Sequence, residues 1–286
     1  MKEIPLATLG FLDVAAGSGV ALAGDTAYVI ADDVACLGCY SLDTRRTGTV
    51  PLFSGDAPLP LDPAARKKRK ADLEALVALP SGDLLALGSG SRENRRRGAL
   101  IKPATRGARE IDASGLYDAL DREFEKLNIE GAVVFGEHLL LAQRGNGRDD
   151  AIVVLDLDVA QRDLAKGFLS KHALRSIVRI DLGKLDGVHL GFTDLAAHPS
   201  RGVFFVAAAE ATDDPVADAA CAGSVLGRLD EEFRIAAMAR LRPDLKVEGL
   251  GFWKREAEAD RWLMVADADD PMRPSPLLSG YTAPDF

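Results

Sequence analysis

EALVALPSGDLLALGSGS, residues 74–91, opens on a carboxylate and runs through an apolar strand to a Pro-Ser-Gly-Asp turn. It returns through a second apolar strand and ends among small polar residues. Four other segments follow the same plan: SGVALAGDTAYVIADD from Ser18, EGAVVFGEHLLLAQRGNG from Glu130, DLAAHPSRGVFFVAAAE from Asp194 and EGLGFWKREAEADRWLMVADADD from Glu248. The starting residues lie 56, 56, 64 and 54 positions apart. A fixed period of this size marks a repeat architecture, and short strands with Gly- or Pro-marked turns make each repeat a four-stranded propeller blade.

The two further strands of each blade follow its leading pair. They are CLGCYSLD and TGTVPLF in the first blade, GALIKPA and AREIDA in the second, DAIVVLDLD and RSIVRIDL in the third, and GSVLGRLD and FRIAAMARL in the fourth. The fifth blade offers only PSPLLSGYT. Residues 4–13, IPLATLGFLD, precede the first repeat and belong to no blade of their own. Placed as the outer strand of the last blade they close the ring and remove an open sheet edge. The expected fold is therefore all-β, one five-bladed β-propeller domain over residues 1–286, with a six-bladed ring as the alternative. Two insertions, ASGLYDALDREFEKL and DVAQRDLAKGFLSKHALR, have helical spacing; Ser114 is placed to cap the first, and both are expected to decorate the surface.

Net charge is −9 and the apolar fraction 47%. Such acidity argues against a nucleic-acid partner, which needs clustered cations. The single basic run, Arg66–Lys70, reads as a solvated loop. No apolar stretch approaches the roughly 20 residues of a membrane helix, so no membrane association is expected. Three cysteines, Cys36, Cys39 and Cys221, cannot form a disulfide framework and fit a reducing cytoplasm. Cys36 and Cys39 lie three apart on a strand, on opposite faces, so the CxxC spacing does not make a shared metal or redox site. GSGSREN lacks the ending of a phosphate loop, and Asp267-Ala268-Asp269-Asp270 lacks the Gly and distal Glu of a calcium loop.

In a propeller the start of each inner strand lies beside the end of the second strand, so two residue sets converge on one mouth. The first is Ser18, Glu74, Glu130, Asp194 and Glu248. The second includes Asp32, Asp33, Arg144, Asn146, Glu210, Asp267 and Asp269. Four acids around one axis need a bound cation, nearby Lys or Arg, or retained protons. Glu74, Glu130, Asp194 and Glu248 suit Ca2+, an oxygen-seeking ion. Lys70 and Lys246, four and two residues before Glu74 and Glu248, are the local cations. Ser18, Asp33, Lys70, Arg144, Asn146, Glu210, Lys246 and Asp269 are candidates to touch a ligand in the central pocket.

KADLEALVALPSGDLLALGSGS, LNIEGAVVFGEHLLLAQRGNG, GFTDLAAH, KVEGLGF and LMVADADD together resemble an uncharacterised family of bacterial propellers related to the phytase-like esterase domain. More distantly the arrangement resembles the gluconolactonase and paraoxonase hydrolases, which are six-bladed and hold a channel calcium through Glu, Asp and Asn; this chain has more carboxylates and no matching Asn. The ring of acids leads to the expectation of a metal-assisted hydrolase, with calcium as the ion, of esterase, lactonase or phosphoesterase type. The ring acids would hold the metal, Glu130, Glu248, Asp32 or Asp267 would move the proton, and Arg144 would orient an anionic group. The alternatives are a non-catalytic propeller binding a small molecule or a protein, and a carboxylate-based cyclotransferase.

Overall fold

The computed structural model describes residues 1–53, 60, 62, 65, 68–212, 220–267, 270 and 272–286. Its strands form five sheets around one axis. The first blade is β3 (Gly17–Ala23), β4 (Thr26–Ala31), β5 (Cys36–Ser41) and β6 (Thr47–Pro51). The second is β7 (Leu73–Ala78), β8 (Leu84–Gly88), β9 (Arg97–Lys102) and β10 (Gly107–Asp112). The third is β11 (Ile129–Phe135), β12 (His138–Gln143), β13 (Ala151–Asp156) and β14 (Leu174–Arg179). The fourth contains β16 (Val188–His198), β17 (Gly202–Glu210), β18 (Cys221–Leu229) and β19 (Ile235–Arg242), with the two-residue β15 (Lys184–Leu185) hydrogen-bonded to β16. The fifth has β20 (Lys246–Glu256), β21 (Ala259–Asp267) and β22 (Pro276–Thr282). Innermost strands β3, β7, β11, β16 and β20 each touch the next, and β20 touches β3, which closes a five-bladed ring.

The N-terminal segment closes the last blade as expected: β2 (Ala7–Phe11) pairs antiparallel with β22. It also does something the sequence did not disclose. β1 (Lys2–Pro5) turns away after Leu6 and adds a parallel strand to β19 of the fourth blade. One segment thus covers the outer edges of two neighbouring blades.

Both faces of most strands are buried, because each blade packs against two others. That is why the strands are nearly continuous runs of Val, Leu, Ile and Ala rather than alternating patterns. Five separate apolar clusters fill the five gaps between blades. Cys36 packs into the gap between blades five and one, Cys39 into that between one and two, on opposite faces of β5.

Among the described residues two short α-helices interrupt the pattern, and both differ from expectation. α1 spans Ser114–Leu120, with Ser114 as its first residue rather than its cap; Asp112 Oδ1 accepts the Ser114 N–H at 2.9 Å. Leu116, Tyr117 and Leu120 are fully buried between blades two and three, and Tyr117 Oη donates to the Gly88 carbonyl. α1 is therefore core, not surface decoration. α2 (Leu157–Lys166) is capped by Asp156, which accepts the Val159 N–H, and ends at Gly167 in the left-handed conformation. It buries Leu157, Ala160 and Leu164 in the same gap.

Candidate functional site at the propeller mouth

Every inner strand slips register by one extra residue near its start, and β20 slips a second time between Phe252 and Lys254. The slips near the starts fall between Gly17 and Gly19, Leu73 and Ala75, Ile129 and Gly131, Phe192 and Asp194, and Val247 and Gly249. The bulged residues are therefore Ser18, Glu74, Glu130, Thr193 and Glu248. This corrects the repeat register in blade four: the position equivalent to the three glutamates is Thr193, and Asp194 stands one step further on. A bulge re-aims its side chain out of the sheet, which turns these residues towards the mouth and towards the neighbouring blade.

The five positions divide into two kinds. Ser18 Oγ donates to the Leu73 carbonyl at 2.6 Å, and Thr193 Oγ1 to the Val247 carbonyl at 2.7 Å. Each hydroxyl stitches its blade to the next one, at the residue just before that blade's glutamate. Ser18, expected to face a ligand, is thus 1% exposed and spent on structure. Glu74, Glu130 and Glu248 are the acids.

Asp194 has a different role from the calcium ligand expected of it. Its Oδ1 accepts the Leu195 N–H and its Oδ2 the Leu250 N–H, each at 2.8 Å, and the Val20 and Ala132 N–H groups also point at it. These four amides come from blades four, five, one and three. The position after the bulge is Gly19, Ala75, Gly131 and Gly249 elsewhere. A Cβ on Gly131 would lie 2.6 Å from the Asp194 Cα, so small residues there leave room for one central carboxylate. Asp194, 0% exposed, plugs the axis below the mouth. Burial pushes its carboxyl well above the usual range, against the pull of the backbone amides.

Above this plug the mouth is laced by the chain's own cations. In blades three to five, charges alternate along one line. Arg144 Nη1 lies 3.5 Å from Glu130 Oε1 and Nη2 bonds Glu210; Lys246 Nζ lies 3.1 Å from Glu210 Oε1 and 2.8 Å from Glu248 Oε1. Asn128 Nδ2 donates to Glu130, and Arg144 Nε to Asn146 Oδ1 at 2.9 Å. Arg144 is 3% exposed and held on three sides, so it braces the site rather than reaching for a substrate. Asn146 and Glu210, expected to touch a ligand, are bound within the same line.

A second line runs through blades one and two. Lys70 Nζ bonds Asp32 Oδ2 and lies 3.0 Å from Asp72 Oδ1; Arg95 Nη1 lies 2.6 Å from Asp72 Oδ2, which also accepts from Ser89 Oγ at 2.6 Å. The basic run thus ends not in a solvated loop but in a largely buried ion pair. Arg66 and Lys67 lie outside the described residues, as does Asp269. Asp33 is buried, and Asp267 is half-buried near Glu248 and raises the pKa of that carboxyl. Asp72 and Arg95 are site residues the sequence reading missed. Asp72 stands two before Glu74 as Asn128 and Lys246 stand two before Glu130 and Glu248, a spacing that was visible.

Glu74 lies between the two lines. It is 8% exposed, and its carboxylate makes no hydrogen bond or ion pair with any described residue. Asp32, Asp72 and Glu74 bring carboxylate oxygens within 4.8 Å of one another, close enough to share a cation. Among the described residues no such group contains Glu130, Asp194 or Glu248, so the expected four-acid ring does not form. The ammonium of Lys70 already sits against two members of the triad, and Arg95 and Ser89 occupy the other Asp72 oxygen. As it stands the donor set does not fit a calcium ion, which takes six to eight oxygens.

Burial is the first cause of every raised carboxyl here. It raises Asp32, and it raises Glu74 well above its ordinary value with help from Glu130, Asp72 and Asp32. Glu130 is pushed up to about 8 although Arg144 pulls it down, and Glu248 to about 7 although Lys246 does the same. Two carboxyls bracketing neutrality can exchange protons at physiological pH.

Comparison with curated proteins finds no match. Among solved structures the chain is similar to regucalcin, a calcium-binding protein from Agrobacterium tumefaciens, at 11% identity over 97% of this chain and 95% of that one, with a TM-score of 0.50. It is equally similar to a candidate glycoside hydrolase from Parabacteroides distasonis, at 11% identity over 95% and 92%, with a TM-score of 0.50. It covers 97% of itself and only 66% of a Kuenenia stuttgartiensis hydrazine synthase chain, at 11% identity and a TM-score of 0.43. These likenesses speak to the fold. The chain belongs to the family of unknown function DUF6929, whose match over residues 13–280 takes in the bulged glutamates and all five inner strands.

Proposed function

We propose that the mouth is the active site of a hydrolase that opens a small ester or lactone with the chain's own acids and cations. The observation that carries this is the alternating line Glu130–Arg144–Glu210–Lys246–Glu248, which sets two buried carboxyls of near-neutral pKa at its two ends. Glu248, ionised above about 7, takes a proton from the attacking water. The water oxygen bonds to the acyl carbon, whose oxyanion is stabilised by the Lys246 charge. As the acyl–oxygen bond breaks, Glu130, protonated below about 8, gives its proton to the departing alkoxide. Glu74, buried and without a partner among the described residues, receives a hydroxyl or ammonium group of the substrate.

The test is turnover of a panel of aliphatic lactones and p-nitrophenyl esters across pH. The expected profile of kcat/KM is a narrow bell, rising with ionisation of the base near 7 and falling with loss of the acid proton near 8. Glu130→Gln and Glu248→Gln each lower kcat/KM by about 100-fold or more. A panel with no turnover, or variants with unchanged rates, refutes the hydrolase and leaves a binding propeller.

The calcium reading draws on the Asp32, Asp72 and Glu74 triad. For it to hold, the ion must expel Lys70. Calorimetry of the metal-stripped protein with CaCl2 is expected to show no binding, whereas Lys70→Met, which empties that position, is expected to create a divalent-ion site. Stoichiometric calcium binding by the unmodified protein would transfer the catalytic role to the triad.

A further inference from the structure

On the disc face opposite the mouth, the hairpin turns of blades one and two flank a cavity of about 290 Å3. That is at the lower end of the roughly 300–1,000 Å3 found for small-molecule sites. Its floor is apolar, formed by Leu37, Val50 and Ile101 at the top of the cluster between the two blades. Its rim carries the hydroxyls of Thr26, Ser41, Thr44, Thr47 and Thr49 and two arginines, Arg46 and Arg106, and among the described residues no carboxylate. In a chain of net charge −9 a concave site whose polar rim is made of arginines and hydroxyls stands out from its surroundings.

Three details make the cavity a shaped one. Neither arginine forms a salt bridge or side-chain hydrogen bond with a described residue, so both guanidiniums are open to a ligand. Cross-strand pairing sets Tyr28, Cys39 and Gly48 in one row on the same face of blade one. Gly48 contributes no side chain to that row, and a Cβ built there would meet nothing within 4 Å, so the glycine opens the cavity. Burial pushes the Tyr28 hydroxyl and the Cys39 thiol up, and Arg106, reaching across from blade two, pulls against that rise at both.

We propose that this inter-blade cavity binds a small organic oxyanion, its phosphate or carboxylate head on Arg46 and Arg106 and its apolar body on the floor beside Gly48. Arginine presents a planar fork of donors that matches either head, and the surrounding hydroxyls can donate to the remaining oxygens. The floor accounts for the organic part, because an inorganic ion would leave apolar surface uncovered.

The experiment is titration calorimetry of the full chain with phenyl phosphate, benzoate and inorganic phosphate. It is paired with the alkylation rate of Cys39 in a Cys36→Ser/Cys221→Ser background. Phenyl phosphate or benzoate is expected to bind and to slow Cys39 alkylation; whichever binds tighter identifies the head group. Arg46→Ala/Arg106→Ala should weaken binding by about 10-fold or more, the effect expected for losing charge-assisted hydrogen bonds. Gly48→Val, which fills the cavity and leaves both arginines, should abolish binding while circular dichroism stays unchanged. Absence of binding by both organic probes overturns the proposal, and so does binding that survives the double arginine variant. Inorganic phosphate protecting Cys39 as well as the organic probes would overturn the two-part pocket.

Discussion

Replacing Arg144 by Met tests whether the mouth is held together by its alternating charges. Arg144 is 3% exposed, contacts Glu130 and Glu210, and receives no help from bulk water. Removing one member of a buried ion network strands the others, at about 3–5 kcal/mol. How much of that is lost depends on pH. Glu130 titrates near 8, above its ordinary 4.5, so the native state holds a proton there that the unfolded chain has released. Its contribution is therefore complete below about 4.5 and fades as pH rises through 8. At pH 6 Glu130 stays neutral in the variant, and the loss is mainly that of the Arg144–Glu210 contact, with Lys246 still beside Glu210. At pH 9 Glu130 must either ionise without its guanidinium or hold its proton against the solvent. The expected loss is about 3 kcal/mol at pH 6 and about 5 kcal/mol at pH 9. Urea unfolding followed by tryptophan fluorescence would measure it, with the denaturant slope unchanged. Adding Glu130→Gln and Glu210→Gln should restore most of the loss. A penalty below about 1 kcal/mol, or one equal at both pH values, would refute a buried, self-compensated mouth.

Two further outcomes follow from the geometry. Asp194→Asn sets an amide NH2 against backbone N–H groups that previously met a carboxylate oxygen, and should cost about 1–3 kcal/mol in urea or thermal unfolding without altering any metal affinity; an unchanged stability would mean that Asp194 is not the axial plug. Deleting residues 1–11 exposes the outer edges of β19 and β22 together, and the truncated chain is expected to self-associate in sedimentation velocity. A truncated chain that stays monomeric and equally stable would contradict the closure by β1 and β2.

The repeat was legible because a propeller blade writes its strands and turns into the sequence at a fixed period. The pairs of apolar runs at 18–33, 74–91, 130–147, 194–210 and 248–270 became the inner and second strands of the five blades. Even the orphan segment at 4–13 found its place, since an unpaired outer edge demands a partner. What could not be read was the register within the strand. The bulge in blade four falls at Thr193, and the Asp-Leu that follows mimics the acid-plus-apolar start of the other blades, such as Glu74-Ala75, so Asp194 was counted as a ring acid. Strand patterns carry a period of two and give no mark for one extra residue.

Composition and spacing alone determined that acids would crowd one mouth and that Lys70 and Lys246 would stand near them. Which acid each cation would meet was decided only by the folded ring, because the pairs Lys70–Asp32, Arg144–Glu210 and Lys246–Glu210 join different strand ends or different blades. Coulomb attraction between buried groups falls with distance and grows as water is excluded, and neither quantity exists before the chain closes. The sequence named the charges; closure of the propeller neutralised most of them, left Glu74 without a partner among the described residues and turned Asp194 from an expected ligand into the pin of the axis.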